Sequence, residues 1–277
     1  MRTVEIEGPS FSGSATCLRL EPHGRSGIYA TLPDGTTRPL SEARFGVSRW
    51  RYTTLSWQLD NGRYAMLPIT EHFLGMVYAL GLDAFVIHAA PFRLPHDGSA
   101  RRYWNGVKPA LKDSGEMTLW TPMHPICLSC GDKVLRLDPD DGSYEFAFNI
   151  TVSYPDLGTH TLEGIVSETM WDELFTARSL WRSGFHQNVA SMLRALHLWP
   201  HGKEMCVRMT MRDSVAVRQA ALRELCYHRL VDFFGALMTA CPQGGRFVGK
   251  LTSDPGIGHA ADNLFLERVR RAMWAVA

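Results

Sequence analysis

The run from Ser214 to Ala240 constrains this chain more than any other stretch. Val217, Ala221, Leu225, Leu230, Phe234 and Leu237 recur at helical spacings and would form the buried stripe of one long helix. On an adjacent face His228 and Asp232 stand four residues apart, so one turn stacks an imidazole over a carboxylate. Such a pair can supply two of the three protein ligands of a catalytic zinc, whose remaining position stays open for water. The same spacing also serves a helix cap or a surface ion pair, so the pair alone does not decide.

Its company does more. Thr70-Glu71-His72 opens a second helix pattern, Glu71 to Leu80, carrying Phe73, Leu74, Val77 and Leu80. Gly258-His259-Ala260-Ala261-Asp262-Asn263 opens the last one, from about Ile257 to Val276. Glu-His at one helix start, His-x-x-x-Asp on a second and Gly-His-Ala at a third resemble the LpxC family, zinc-dependent UDP-3-O-acyl-N-acetylglucosamine deacetylases of lipid A synthesis. The resemblance runs through the chain in order. It includes Val4 to Gly8, Leu18 to Leu20 and Gly27 to Tyr29, then Pro68 to His72 with Ala79 to Asp83. Further on it takes in Pro95-His96-Asp97-Gly98-Ser99-Ala100, Tyr144 to Ile150, and Thr176 to Trp181.

Between these motifs the text alternates strands and helices. From Val4 to Met66 short strands are broken by turns at Gly8-Pro9, His23-Gly24, Pro33-Asp34-Gly35 and Asp60-Asn61-Gly62, of which Asn61-Gly62 is the sharpest hairpin signal. Helices at Glu71–Leu80 and Ser99–Lys112 flank a buried strand, Ala84–Ala90, with Thr70 and Ser99 as candidate N-caps. After Asp113-Ser114-Gly115 the plan repeats. Strands run from Met117 to Leu162, short helices follow near Thr169–Thr176 and Val189–Leu196, and then the long helix and the last one. The expectation is an α+β protein of two similar domains, 1–113 and 114–277. The resemblance adds that each is a sheet layer packed on paired helices, with the active site in the cleft between them.

Composition excludes several other classes. Its 29 basic and 28 acidic residues nearly cancel, which leaves no basic surface for nucleic acid. No apolar run reaches the roughly 18 residues of a membrane span, and Met1 to Ser10 lacks the pattern of a signal peptide. The reading is a soluble, cytoplasmic monomer. Six cysteines are too sparse for a disulfide scaffold. Cys127 and Cys130, with His124 nearby, make half of a zinc knuckle with no second pair, and are read as ordinary strand or turn thiols. His88, His96, His160, His186, His197 and His201 have no catalytic context and are read as structural or surface residues.

The resemblance implies a site residue by residue. His72, His228 and Asp232 would hold Zn²⁺, although the same ligand set suits Fe²⁺. Glu71 would be the general base and His259 the acid or oxyanion stabiliser, with Ser179 donating a hydrogen bond to the tetrahedral intermediate. Arg229, Leu180 and Trp199 would contact substrate. Each has a plainer reading: Glu71 facing the positive end of its own helix, His259 bonded to backbone, Ser179 an ordinary hydroxyl, Arg229 a solvated charge.

Four segments depart from the family pattern. Ala236 stands where the family has an aspartate. Ser10-Phe11-Ser12-Gly13 replaces Leu-His-Thr-Gly. His197 to Lys203, with Trp199 and Pro200, replaces a Gly-Gly-Ser turn of the acyl passage, and Ser179-Leu180-Trp181 alters the wall beside the scissile group. Three functions follow. The first is a deacetylase acting on an N-acylated, nucleotide-sugar-like small molecule other than the lipid A precursor. The second is the lipid A deacetylase itself, and the third a metal-binding pseudoenzyme.

Overall fold

The computed structural model describes residues 2–10, 13–47, 53–111, 117–131, 133–154, 158–182, 206–209, 213–240, 245–255, 259–272 and 274–276. The boundary expected between residues 113 and 114, the helix at Val189–Leu196 and the loop bearing Trp199 lie outside them.

The first half starts with two hairpins, β1 (Val4–Pro9) with β2 (Ala15–Pro22) and β3 (Ile28–Thr31) with β4 (Thr37–Pro39). Three further strands, β5 (Arg44–Val47), β6 (Thr53–Gln58) and β7 (Tyr64–Pro68), form a separate antiparallel meander. Its β6–β7 turn is the one Asn61-Gly62 announces. Gly62 takes φ 77°, open to glycine without steric cost, and Asn61 Oδ1 accepts the Arg63 N–H at 3.0 Å. Helix α1 (Glu71–Ala79) then leads to β8 (Phe85–Ala90), and α2 (Arg101–Val107) follows. Strand β8 inserts between the two hairpins, giving the order β1-β2-β8-β3-β4, antiparallel to β2 and parallel to β3. Its near-continuous apolar start, Phe85-Val86-Ile87, is wholly buried, as befits a central strand.

The second half repeats this order. Short β9 (Leu119–Pro122) precedes the hairpins β10 (Ile126–Cys130) with β11 (Lys133–Asp138) and β12 (Phe146–Tyr154) with β13 (Gly158–Ile165). Helix α3 (Trp171–Thr176) and the parallel pair β14 (Ser179–Arg182) and β15 (Cys206–Met209) come next. The long helix α4 (Val215–Ala240), β16 (Arg246–Phe247), β17 (Gly249–Ser253), α5 (His259–Arg271) and β18 (Trp274–Val276) complete the chain. Strand β17 enters between the hairpins as β8 does, antiparallel to β11 and parallel to β12. Each half therefore contains, in this order, two hairpins, a helix, a central strand slotted between the hairpins, and a second helix. In this correspondence α1 matches α4 and α2 matches α5.

The matching helices pack against each other, backbone to backbone. A Cβ on Gly75 of α1 would lie 2.8 Å from the Val231 carbonyl oxygen of α4. A Cβ on Gly235 of α4 would lie 2.8 Å from Glu71 Cα of α1. Each glycine stands four residues after the residue whose backbone the other helix meets, so the contact is reciprocal and the helices run antiparallel. A mid-helix glycine costs about 1 kcal/mol relative to alanine, and here that cost is offset by approach no side chain would permit. Around the crossing Tyr78 stacks on Phe234, with ring centroids 4.5 Å apart and planes 7° apart, and its hydroxyl donates to Phe247 O at 2.7 Å. Arg246 adds a second tie. It donates to Ala79 O, pairs with Glu168 at 2.8 Å and lies over the Trp171 ring.

Several sequence expectations need correction. Val217 is 51% exposed and lies outside the buried stripe, which begins at Ala221. Thr70 occupies the N-cap position of α1 without capping it. Its backbone is already helical (φ −93°, ψ −15°), and its hydroxyl makes no cap bond. Ser99 lies one residue ahead of the α2 cap position, where its hydroxyl accepts the Arg101 N–H at 3.3 Å. The second helix is shorter than expected and gives way to a 3₁₀ turn at Lys108–Ala110, where Pro109 has no N–H to offer. The last helix stops at Arg271, and Trp274–Val276 instead pairs with β9.

Cys127 and Cys130 both fall on strand β10. Among the described residues no helix is long and apolar enough to cross a membrane.

Gly235→Ala should lower stability by about 3 kcal/mol, the upper end for overpacking, because backbone rather than a yielding side chain blocks the new methyl. Gly75→Ala should cost less. Urea denaturation midpoints of the two variants test this order.

Candidate metal centre

The chain enters α1 through a strained residue. Ile69 has φ 57°, a left-handed conformation that a β-branched side chain rarely adopts. Thr53 of β6 brackets this turn, its carbonyl accepting the Ile69 and Thr70 N–H groups at 2.8 and 3.3 Å. The Thr53 N–H donates in turn to Glu71 Oε2 at 3.2 Å. The Glu71 carboxylate, in a residue only 5% exposed, is thus steadied from a neighbouring strand. His72 follows on the same turn and faces α4.

On α4, His228 Nε2 lies 3.4 Å from Asp232 Oδ2, the four-residue spacing placing them as the sequence foretold. From α1, His72 Nε2 lies 3.5 Å from the other carboxylate oxygen, Oδ1. One ligand atom from each of these three residues falls within 4.8 Å of the others. The two imidazoles meet edge to face, with centroids 5.0 Å apart and planes at 80°. His72 and Asp232 are buried and His228 half-buried.

The distances discriminate between two kinds of site. A charge-assisted N–H···O⁻ bond closes to roughly 2.7–2.9 Å, and both contacts are well beyond that. Two ligands sharing a tetrahedral ion at 2.0–2.1 Å stand about 3.3 Å apart, and both contacts fit. Three polar groups at this spacing, two buried and one half-buried, are poorly satisfied as a salt bridge and well placed to hold a cation.

Electrostatics agree. Burial opposes the charged form of His72, yet its pKa is raised, because Asp232, as hydrogen-bond acceptor and as charge, outweighs burial, with Glu71 and Asp97 adding to it. The cluster therefore attracts positive charge. The Tyr103 hydroxyl is pushed well above its usual range by burial, and by the negative charges of Asp97 and Glu71. It donates to Pro95 O.

The structure also brings to the site a residue that the sequence reading set aside as structural. His96 is 8% exposed and stacks on His72, with centroids 5.4 Å apart and planes 19° apart. Burial holds its pKa well below the ordinary value, and His72 and His228 push it the same way. Its signal was present in Pro95-His96-Asp97-Gly98-Ser99, a turn motif leading into α2, but no local spacing ties that turn to α1. Arg178 was missed similarly. Its N–H and Nε donate to Glu224 Oε1 at 3.0 and 2.9 Å, tethering the start of β14 to α4 one turn before His228.

The other expected site residues are placed less closely. Ser179 and Leu180 begin β14, in register with Cys206 and Val207 of β15. His259 opens α5. Arg229 is half-buried on α4 directly after His228. Ala236 is buried, 4% exposed, one residue after the glycine of the helix crossing.

Two matching α+β halves are joined through a helix pair that carries two imidazoles and a carboxylate, a set that could hold one metal ion. The chain belongs to the LpxC family: the family model for UDP-3-O-acyl N-acetylglycosamine deacetylase matches residues 1–271. That family is one of zinc-dependent deacetylases acting on a nucleotide-sugar substrate. Comparison with curated proteins returns no match.

The Asp232 carboxylate raises the pKa of His72 against the effect of burial, so a metal ion bound there would compete with a proton. Affinity should fall on acidification, starting above pH 6.5, and chelator competition across a pH series would show it. His228→Ala and Asp232→Ala should each abolish stoichiometric binding.

Proposed function

We propose that this protein is a zinc-dependent N-deacetylase that hydrolyses the amide of an N-acylated amino sugar or related amine other than the lipid A precursor. The observation that carries the reading is the His72, His228 and Asp232 cluster, with the Glu71 carboxylate held on the adjoining residue by Thr53. Residues 1–113 and 114–277 act as two domains that contribute to one site, and a single chain is the working unit.

His72, His228 and Asp232 would hold the zinc, which would supply a Lewis acid for the amide carbonyl and lower the pKa of water towards neutrality. Iron(II) suits the same donors. Glu71 accepts the proton of the attacking water as general base. Its bond from Thr53 fixes one carboxylate oxygen and so the direction of the other. His259, at the start of α5, delivers a proton to the departing amine and stabilises the oxyanion, and Ser179 donates its hydroxyl hydrogen to the same oxygen. Arg229 meets a negative group of the substrate. Leu180 and Trp199 contact the substrate.

The choice of substrate rests on the substituted segments. With Ala236 buried beside the crossing, the family aspartate is replaced by a methyl group, and Phe11 stands where the first hairpin of the family has histidine. The metal-ligand positions match the family motifs while substrate-facing positions differ, as a change of substrate would leave them. The second reading, deacetylation of UDP-3-O-acyl-N-acetylglucosamine, is favoured by the family match across residues 1–271.

Acetate release from that nucleotide sugar, measured beside a panel of simpler N-acetyl amino sugars, separates the two. Efficient turnover of the nucleotide sugar would give the second reading the field. Glu71→Gln should retain zinc yet lose about 10²- to 10⁴-fold in turnover, the range for a general base. Unchanged metal content and no turnover in either protein would leave only the binding role.

A further inference from the structure

A metal-ligating histidine is normally oriented by its second ring nitrogen, which donates to a carboxylate or backbone carbonyl. His72 departs from this. Its Nε2 faces Asp232, while its Nδ1 is buried and has no hydrogen-bond partner among the described residues. Nothing polar there sets the rotation of the ring about its χ2 axis, a broad and soft torsion. Something else must hold the plane.

The ring has two aromatic neighbours. His228 meets it edge-on at 80° and is a ligand candidate itself. His96 lies nearly parallel, at 19° and 5.4 Å. Ring lone pairs point within the ring plane, so two nearly parallel, face-on imidazoles do not aim at one point. The His96 nitrogens therefore do not converge with His72 Nε2 on a shared ion, and His96 stands outside the cluster of three ligand atoms.

The position of His96 is itself fixed from three directions. Its N–H donates to Pro9 O at the end of β1. The preceding carbonyl, Pro95 O, accepts the buried Tyr103 hydroxyl of α2. The following Asp97 Oδ1 accepts the Ser99 N–H and hydroxyl at 3.0 and 2.9 Å. A turn secured to a strand and to a helix provides a rigid surface.

We infer that His96 is a positioning residue, whose flat face, stacked on His72, sets the plane of that metal ligand in place of the absent hydrogen bond to Nδ1. The inference rests on the metal-site reading above. It assigns His96 no contact with the substrate or the ion, and it requires a planar side chain at this position rather than a basic one.

The test compares His96→Phe, which keeps a flat ring, with His96→Leu and His96→Ala, which do not. The readouts are zinc dissociation constants by chelator competition, the visible spectrum of the cobalt(II)-substituted protein, and melting of the metal-free proteins. Leu and Ala should weaken zinc binding by about 10- to 100-fold, the usual effect of losing a ligand-orienting partner, and should shift the cobalt bands. Phe should bind zinc within a few-fold of wild type, with wild-type bands. Should Ala unfold, Leu against Phe, of similar bulk, carries the comparison.

Zinc affinity and spectra unchanged in Leu would overturn the inference. So would a Phe variant as weak as Leu while the metal-free proteins melt alike, because a polar role would then be at work. Wild-type protein that takes up no zinc would instead overturn the metal-site reading beneath it.

Discussion

The approach of two helix backbones at Gly75 and Gly235 sets the geometry on which the functional centre depends. Neither glycine can carry even a methyl group without meeting main-chain atoms of the other helix. The carbonyl-bearing residues at the crossing, Glu71 and Val231, are each followed by a ligand candidate, His72 and Asp232. These two occupy equivalent positions in the repeated halves and so face each other across the contact. The remaining imidazole has no such counterpart. The position in the first half matching His228 is Pro68, at the end of β7, before α1 has begun. It is the longer α4, extending back to Val215, that supplies the second nitrogen. A near-symmetric scaffold thus yields an asymmetric site through the length of one helix.

The charge balance at the crossing is of a kind that folding alone disfavours. Two buried acids, Glu71 and Asp232, share the region with three imidazoles, His72, His96 and His228, that are at least half-buried. Groups removed from water in this way cost free energy unless paired. The pairing distances fall short of good hydrogen bonds, and what remains is a field strong enough to raise the affinity of a buried histidine for its proton. Stability is here conceded to function, and the aromatic packing of Tyr78, Phe234 and Trp171 one turn away supplies part of the compensation.

How much of this was legible in the sequence depended on range. Local signals read well. The Asn61-Gly62 turn, the apolar strand before Pro91, the helix from Glu71 and the His228/Asp232 pair are each written within a few neighbouring residues. Signals that need a third dimension did not. Nothing near Pro95 says that His96 lies on His72, since the contact depends on where β1 and α2 hold the turn. The tail from Trp274 reads as a continued helix until β9 is there to pair with it. Thr70 has the composition of a cap, and only the left-handed Ile69 before it reveals why its hydroxyl does not act as one. Half of the expected chemistry, from His259, Ser179, Leu180 and Trp199, came through family resemblance rather than from any property of those residues in isolation.

The slotting of β8 and β17 between existing hairpins bears on how the molecule is made. Each central strand must find a gap whose sides were synthesised earlier, and one of its two pairings is parallel, the slower kind to establish. The first half can close its sheet as soon as β8 is synthesised. The face of α1 that bears Gly75, however, has no cover until α4 arrives roughly 150 residues later, a separation that delays such contacts. During synthesis the growing chain therefore presents an uncovered helix face that includes Tyr78, which later stacks on Phe234, a stage at which chains of this size are prone to associate wrongly. A single late event, the docking of α4, ends that exposure and assembles the ligand set.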